Sequence, residues 1–263
     1  MSESDFCVRN VRAFGRSVFR LGLSASFGLD ESGCREALES MNYVFWTPRM
    51  KGLTPALKDA LARDRERYVV ATGPLLGFFR GSLRRGVEAV LRTLKVDQVD
   101  VFQLYWLGKM SALTPAVQEE LIRLRDEGKV KAIGTSIHDR LRAGRLAEDS
   151  ELDMLMIRYN AAHPGAETDI FPHLSRRQPA IVAYTATSWR KLLKAQRGWQ
   201  GHPPTAGDCY RFCLTSPHVD VVLTGPKTTA ELRENLAALE KGPLEGEAME
   251  SMRAFGRAVK GAE

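Results

Sequence analysis

The sequence predicts an α/β fold: a single (β/α)8, or TIM, barrel with a short N-terminal hairpin before it and a C-terminal helix after it. Three observations carry this expectation. Eight short β-rich runs alternate with amphipathic helical stretches along 263 residues. The chain between consecutive runs is long enough for one right-handed crossover each. No Pro/Gly/Ser-rich linker or low-complexity segment divides the chain, so residues 1–263 read as one domain, a length ordinary for such a barrel.

The elements follow in order. Cys7–Ser17 alternates weakly around Gly15 and is expected to form a small hairpin closing the barrel floor. The eight predicted strands are Phe19–Ser24, Asn42–Trp46, Tyr68–Thr72, Val99–Tyr105, Val130–Thr135, Met154–Ile157, Ile181–Tyr184 and Val219–Leu223. Leu83, Val87, Val90, Leu91 and Leu94 form one helical stripe, and Val117, Leu121 and Leu124 another. Thr54-Pro55, Ser82 and Thr114-Pro115 are read as helix starts, each a polar cap and two of them followed by proline. Gly128 is expected to end the helix begun at Thr114. From Gly242 onward, Met249, Met252, Phe255 and Val259 lie on one stripe of a last helix.

Composition excludes several classes. Hydrophobic residues make up 44% and charged residues 27%, as in ordinary soluble proteins. No apolar run approaches the roughly 18–20 residues of a membrane helix. The opening segment is punctuated by charge, which argues against a secretory leader. Four cysteines are too few for a disulfide scaffold, so a reducing cytoplasm is expected. The net charge of +6 is spread along the chain; its densest run, Arg80 to Arg92, reads as a solvated helix face. Nucleic acid is not an expected partner, since clustered charge with interleaved aromatics is missing. Cys209 and Cys213 stand one helical turn apart, but with no second pair nearby they read as core rather than as a metal site. Gly-rich phosphate loops and zinc motifs are absent.

A barrel places its site at the carboxyl ends of the strands, and those segments are informative together. They are Arg20-Leu21-Gly22-Leu23, Met41-Asn42-Tyr43, Val99–Leu104, Glu127–Ser136 with its Gly-Lys-Val-x-Ala-Ile-Gly-x-Ser run, Arg158-Tyr159-Asn160, Val182–Thr185, and Gly225-Pro226-Lys227 followed by Glu231 and Asn235. In this order the chain resembles the aldo-keto reductases along nearly its whole length. The resemblance implies NADP(H) extended across the strand ends. It implies that Tyr184 stacks on the nicotinamide, that Lys227 meets the phosphate on the adenosine ribose with Thr228 beside it, and that Glu231 and Asn235 lie toward the adenine. Ser136 matches the serine that grips the carboxamide; Ile137 and Met156 stand where the family has Asn and Gln.

The family's catalytic Asp, Tyr, Lys and His fall here on Phe45, Met50, Gly73 and Tyr105. The ordinary proton relay is therefore replaced. Hydride transfer to a carbonyl still needs a group to protonate the developing alkoxide. Tyr105 is the expected substitute and Tyr43 the next, with Lys51, Lys109 and His138 on adjacent loops. Phe45, Trp46, Tyr105 and Trp106 suggest an apolar pocket and a small apolar or aromatic carbonyl substrate. A cofactor-binding but catalytically silent relative, acting as a redox sensor or partner-binding subunit, is the alternative. A barrel that has lost the dinucleotide is a third, against which Tyr184, Lys227, Glu231 and Asn235 argue.

Overall fold

The computed structural model describes residues 6–261. Eight parallel strands close into a barrel: β3 (Leu21–Leu23), β4 (Tyr43–Phe45), β5 (Val69–Thr72), β6 (Val99–Leu104), β7 (Val130–Ile137), β8 (Met154–Arg158), β9 (Ala180–Tyr184) and β10 (Val221–Thr224), with β10 pairing back onto β3. Before them, β1 (Val8–Val11) and β2 (Arg16–Phe19) form the expected hairpin, turned through Gly15 at φ +65°. The outer helices are α1 (Glu31–Ser40), α2 (Leu53–Arg63), α3 (Arg80–Leu94), α4 (Pro115–Asp126), α5 (Arg140–Asp149), the short α6 (Ala166–Asp169), α7 (Ala206–Thr215), α8 (Thr229–Leu239) and α9 (Gly246–Gly261).

Strand alternation sorts the core into two layers. Tyr43, Val69, Ala71, Val101, Ala132, Met154, Met156, Val182, Val221 and Leu223 face inward and pack with Val11, Phe14 and Val18 of the hairpin. Phe14 is fully buried, 5.3 Å centroid to centroid from Tyr43, and so plugs the floor. Gly22 makes room for this arrangement, because a Cβ there would lie 2.8 Å from the Tyr43 ring. The larger apolar layer lies between strands and helices.

The floor is also latched by charge. Asp100, Asp153 and Asp220 each accept the backbone N–H of the neighbouring strand, at Val70 (2.9 Å), Ile133 (2.9 Å) and Ile181 (2.8 Å). Each carboxylate also meets an arginine: Arg65 at 2.8 Å, Arg125 at 3.1 Å and Arg9 at 3.2 Å. Arg20 is fully buried and donates to the carbonyls of Phe6, Leu214 and Val219. Burial away from water lowers its pKa to about 10.

Two expected helix starts are corrected. Helix α2 begins at Leu53 after Gly52, and Thr54 lies inside it, donating to the Met50 carbonyl and accepting the Trp46 indole N–H. Ser82 lies inside α3 and donates to the Phe79 carbonyl, so it caps no helix amide. Thr114 does cap α4, accepting the Val117 N–H ahead of Pro115, and Gly128 follows that helix at φ +72°.

Candidate active site

At the strand ends a cleft of about 600 Å³ runs from the barrel mouth, at Phe45, Met156 and Leu223, to the start of α8 at Lys227 and Glu231. Tyr184 lines its centre. The Tyr184 hydroxyl lies 2.6 Å from His138 Nε2. Burial, and then the charge of Arg158, hold His138 below the usual imidazole value. Burial pushes the Tyr184 hydroxyl up to about 12. The two rings meet edge to face at 5.7 Å, with Trp106 on the far side of His138 at 5.5 Å.

Ser136, on β7, accepts the Trp106 backbone N–H at 2.7 Å, which leaves its own hydroxyl hydrogen free to donate. Ile137 faces outward into the apolar layer and offers the mouth nothing. Met156 faces inward, and its sulfur accepts the Gln103 amide at 3.6 Å.

The far end of the cleft is built by a helix start. Thr228 caps α8 by accepting the Glu231 N–H at 3.2 Å, and Glu231 reaches back to the Lys227 N–H at 2.8 Å. This reciprocal pair fixes the turn and leaves the Lys227 side chain exposed beside the positive end of the helix. Arg190 approaches Glu231 at 3.8 Å. Asn235 is buried and donates to Thr224 Oγ1, which itself donates to the Tyr210 hydroxyl.

The proposed acids sit deeper. Tyr105 is partly buried, edge to face with Phe45 at 5.8 Å; its hydroxyl is buried with no hydrogen-bond partner among the described residues, and it does not line the cleft. The Thr72 hydroxyl and the Gly73 backbone act on it electrostatically without reaching hydrogen-bond geometry. Burial raises its pKa well above 10, so the phenol stays protonated. Tyr43 is only 1% exposed, one layer below Phe45 and against Phe14, and does not line the cleft. Gly73 cannot carry a side chain, since a Cβ would stand 2.0 Å from the Gln103 carbonyl oxygen and 3.2 Å from the Tyr105 ring.

The expected apolar pocket is corrected in part. Trp46 is fully buried and turned outward onto Thr54, and neither it nor Tyr105 or Trp106 lines the cleft, which keeps only Phe45 of the four expected rings. Phe27 and Trp189 line it instead, 62% and 54% exposed. Neither was legible in the sequence, because both stand on loops whose backbone path has no period. A larger cavity of about 920 Å³ opens beside the hairpin residues Asn10–Ala13, away from the strand ends; there Tyr159, Glu167 and Arg253 already satisfy one another. Cys209 and Cys213 are buried in the core, and the described residues contain no cluster of metal-ligating side chains.

This architecture, with its cleft on the carboxyl side of the strands, defines the class of barrel enzymes whose chemistry is set by loops and strand ends. A model of the Aldo/keto reductase family matches residues 55–204, more than half of the chain, and the chain belongs to that family. The chain is 27% identical over 93 residues to the NADH-specific methylglyoxal reductase of Escherichia coli (strain K12). That match covers 35% of this chain and only 28% of that relative. The fold is similar to the holo form of an aldo-keto reductase from Bacillus halodurans, with a TM-score of 0.79 at 20% identity over 95% of this chain and 96% of that one. It is also similar to a glycerol dehydrogenase from Gluconobacter oxydans, with a TM-score of 0.75 at 18% identity over 97% of each chain.

Proposed function

We propose that the protein is an NADP(H)-dependent oxidoreductase that reduces the carbonyl of a small molecule, working as a single domain in a reducing cytoplasm. The observation that carries this reading is the continuity of the cleft, from an aromatic, half-buried mouth to an exposed lysine at a capped helix start. The donor set suits a dinucleotide. Tyr184 offers a ring face for the nicotinamide and Ser136 a free hydroxyl for the carboxamide. Lys227, Thr228 and the α8 terminus offer charge and donors for a phosphate, with Glu231 and Asn235 toward the adenine. When bound, the reduced nicotinamide supplies a hydride to the carbonyl carbon.

The protein's part is then to orient the carbonyl and deliver one proton to its oxygen. In this reading Tyr105 is the acid. Its hydroxyl has no hydrogen-bond partner among the described residues, and its raised pKa keeps it protonated at neutral pH; the hydroxyl is buried and Tyr105 does not line the cleft, so a substrate oxygen reaches it only if the mouth rearranges. Tyr43, beneath Phe45, has no access to that oxygen. A catalytically silent, cofactor-binding relative is favoured by a different observation: the position that carries lysine in the family is closed at Gly73 by the Gln103 carbonyl. Turnover across an aldehyde and ketone panel separates the two readings.

The cofactor reading is tested by fluorescence titration with NADPH and NADH. NADPH is expected to bind more tightly, and Lys227→Glu to weaken it about tenfold or more, with little change for NADH. Equal losses for both would remove Lys227 from the phosphate, and failure of both to bind the wild type would end the reading.

A further inference from the structure

The last inward position of β8 holds an arginine. Arg158 and Tyr184 are register partners across β8 and β9, above the pairs Met156–Val182 and Met154–Ala180. Those lower residues line the inner core, so strand alternation delivers the Arg158 side chain into the mouth beside Tyr184. Arg158 is half-buried. Its guanidinium carbon stands 6.0 Å from the centre of the Trp189 ring.

Arg158 has no counter-ion among the described residues; exposed arginines such as Arg49, Arg63 and Arg92 share that, but Arg158 is half-buried at a strand end. Other half-buried arginines, such as Arg9, Arg65 and Arg125, are paired with carboxylates. No carboxylate among the described residues lies within ion-pair distance of Arg158, and its guanidinium makes no hydrogen bond to the protein. Arg158 does not itself line the cleft, but its fork of donors is held beside Trp189 and next to Tyr184, which do, a geometry suited to gripping a carboxylate by two parallel hydrogen bonds.

We propose that Arg158 is an anion subsite for the substrate, and that the carbonyl compound this site takes is a small oxo acid whose carboxylate Arg158 holds. This deepens the reductase reading and rests on it for the chemistry, while the binding stands on Arg158 alone. The subsite belongs to the substrate rather than to a cofactor phosphate because of its place. Arg158 sits between β7, which carries Ser136 and His138, and β9, which carries Tyr184, at the end of the cleft proposed for the nicotinamide. Lys227 serves the phosphate end, beyond β10. The inference also revises the expectation of an apolar substrate: the ring faces of Phe45 and Trp189 would flank a short carbon chain whose far end is charged.

The test is calorimetric titration of the whole protein, with and without NADPH, using oxamate as an unreactive oxo-acid probe, oxamide as its neutral counterpart and pyrophosphate as a phosphate probe. Saturable oxamate binding is expected, with oxamide at least tenfold weaker. Arg158→Gln should weaken oxamate at least tenfold while the melting temperature and the NADPH affinity hold. Arg158→Lys keeps the charge without the fork and should lose severalfold; it also serves if the Gln variant does not fold. The proposal is overturned if oxamate does not bind the wild type, or binds Arg158→Gln equally well. It is overturned too if the variant loses NADPH or pyrophosphate binding instead, which would give Arg158 to the cofactor. Failure of NADPH to bind ends the reductase reading but leaves the oxamate titration of the free protein to decide on Arg158.

Discussion

At the scale of single residues, Tyr105 carries the sharpest consequence. A buried hydroxyl with no partner costs on the order of 1–3 kcal/mol of stability. Tyr105→Phe should therefore raise the melting temperature while leaving NADPH affinity unchanged. If the phenol is the acid, the same substitution should cut turnover by about 10² or more. Thermal melts and steady-state kinetics on one preparation check both halves. A variant that is both more stable and fully active would make Tyr105 a packing residue. His138 makes a different prediction. Its folded pKa lies below the ordinary value of 6.5, chiefly through burial. Between the two values the unfolded chain holds more protons, so acidification below 6.5 favours unfolding. His138→Gln should flatten the part of the fall in melting temperature that begins there.

At the scale of elements, the latches of the floor are stronger than surface ion pairs. Asp100 is 1% exposed and accepts both a strand amide and the Arg65 guanidinium. Asp100→Ala would leave the Val70 N–H without its acceptor and remove the counter-charge of Arg65 and Arg16, and is expected to cost about 3 kcal/mol in chemical denaturation. A loss like that of an exposed pair, below about 1 kcal/mol, would contradict the role. The strands were legible because short, near-continuous apolar and β-branched runs mark strands buried on both faces, as in Ile181–Tyr184. The helix starts were legible only where proline and threonine agree, as at Thr114-Pro115. At Thr54 the same dipeptide lies inside the helix, because the hydroxyl is claimed by Trp46 and Met50. Trp189 could not be placed from sequence, for Ser188, Trp189 and Arg190 adopt left-handed backbone without a glycine to signal it. Arg158 stood at a recognisable strand end. Its freedom from any carboxylate is a fact of three dimensions.

At the scale of the whole molecule, two clusters of buried apolar side chains share one ring of strands, and closure joins β3 to β10. A barrel of this kind has no internal seam at which one half is complete without the other. Denaturant unfolding is expected to show a single transition, coincident by tryptophan fluorescence and by backbone circular dichroism. Two separated transitions would divide the single domain that the sequence predicts.

The buried clasp of Arg20 bears on how such a chain comes to exist. Its acceptors at Leu214 and Val219 are about two hundred residues further along the chain. During synthesis the hairpin and first barrel strand emerge well before two of the three carbonyls that satisfy the guanidinium, at Leu214 and Val219. The ring cannot shut before β10 leaves the ribosome, and closing so long a loop is slow as well as entropically costly. The growing chain must then carry an open sheet with two unpaired edges for most of its translation. Until then the early strands present edges that only closure onto β10 removes.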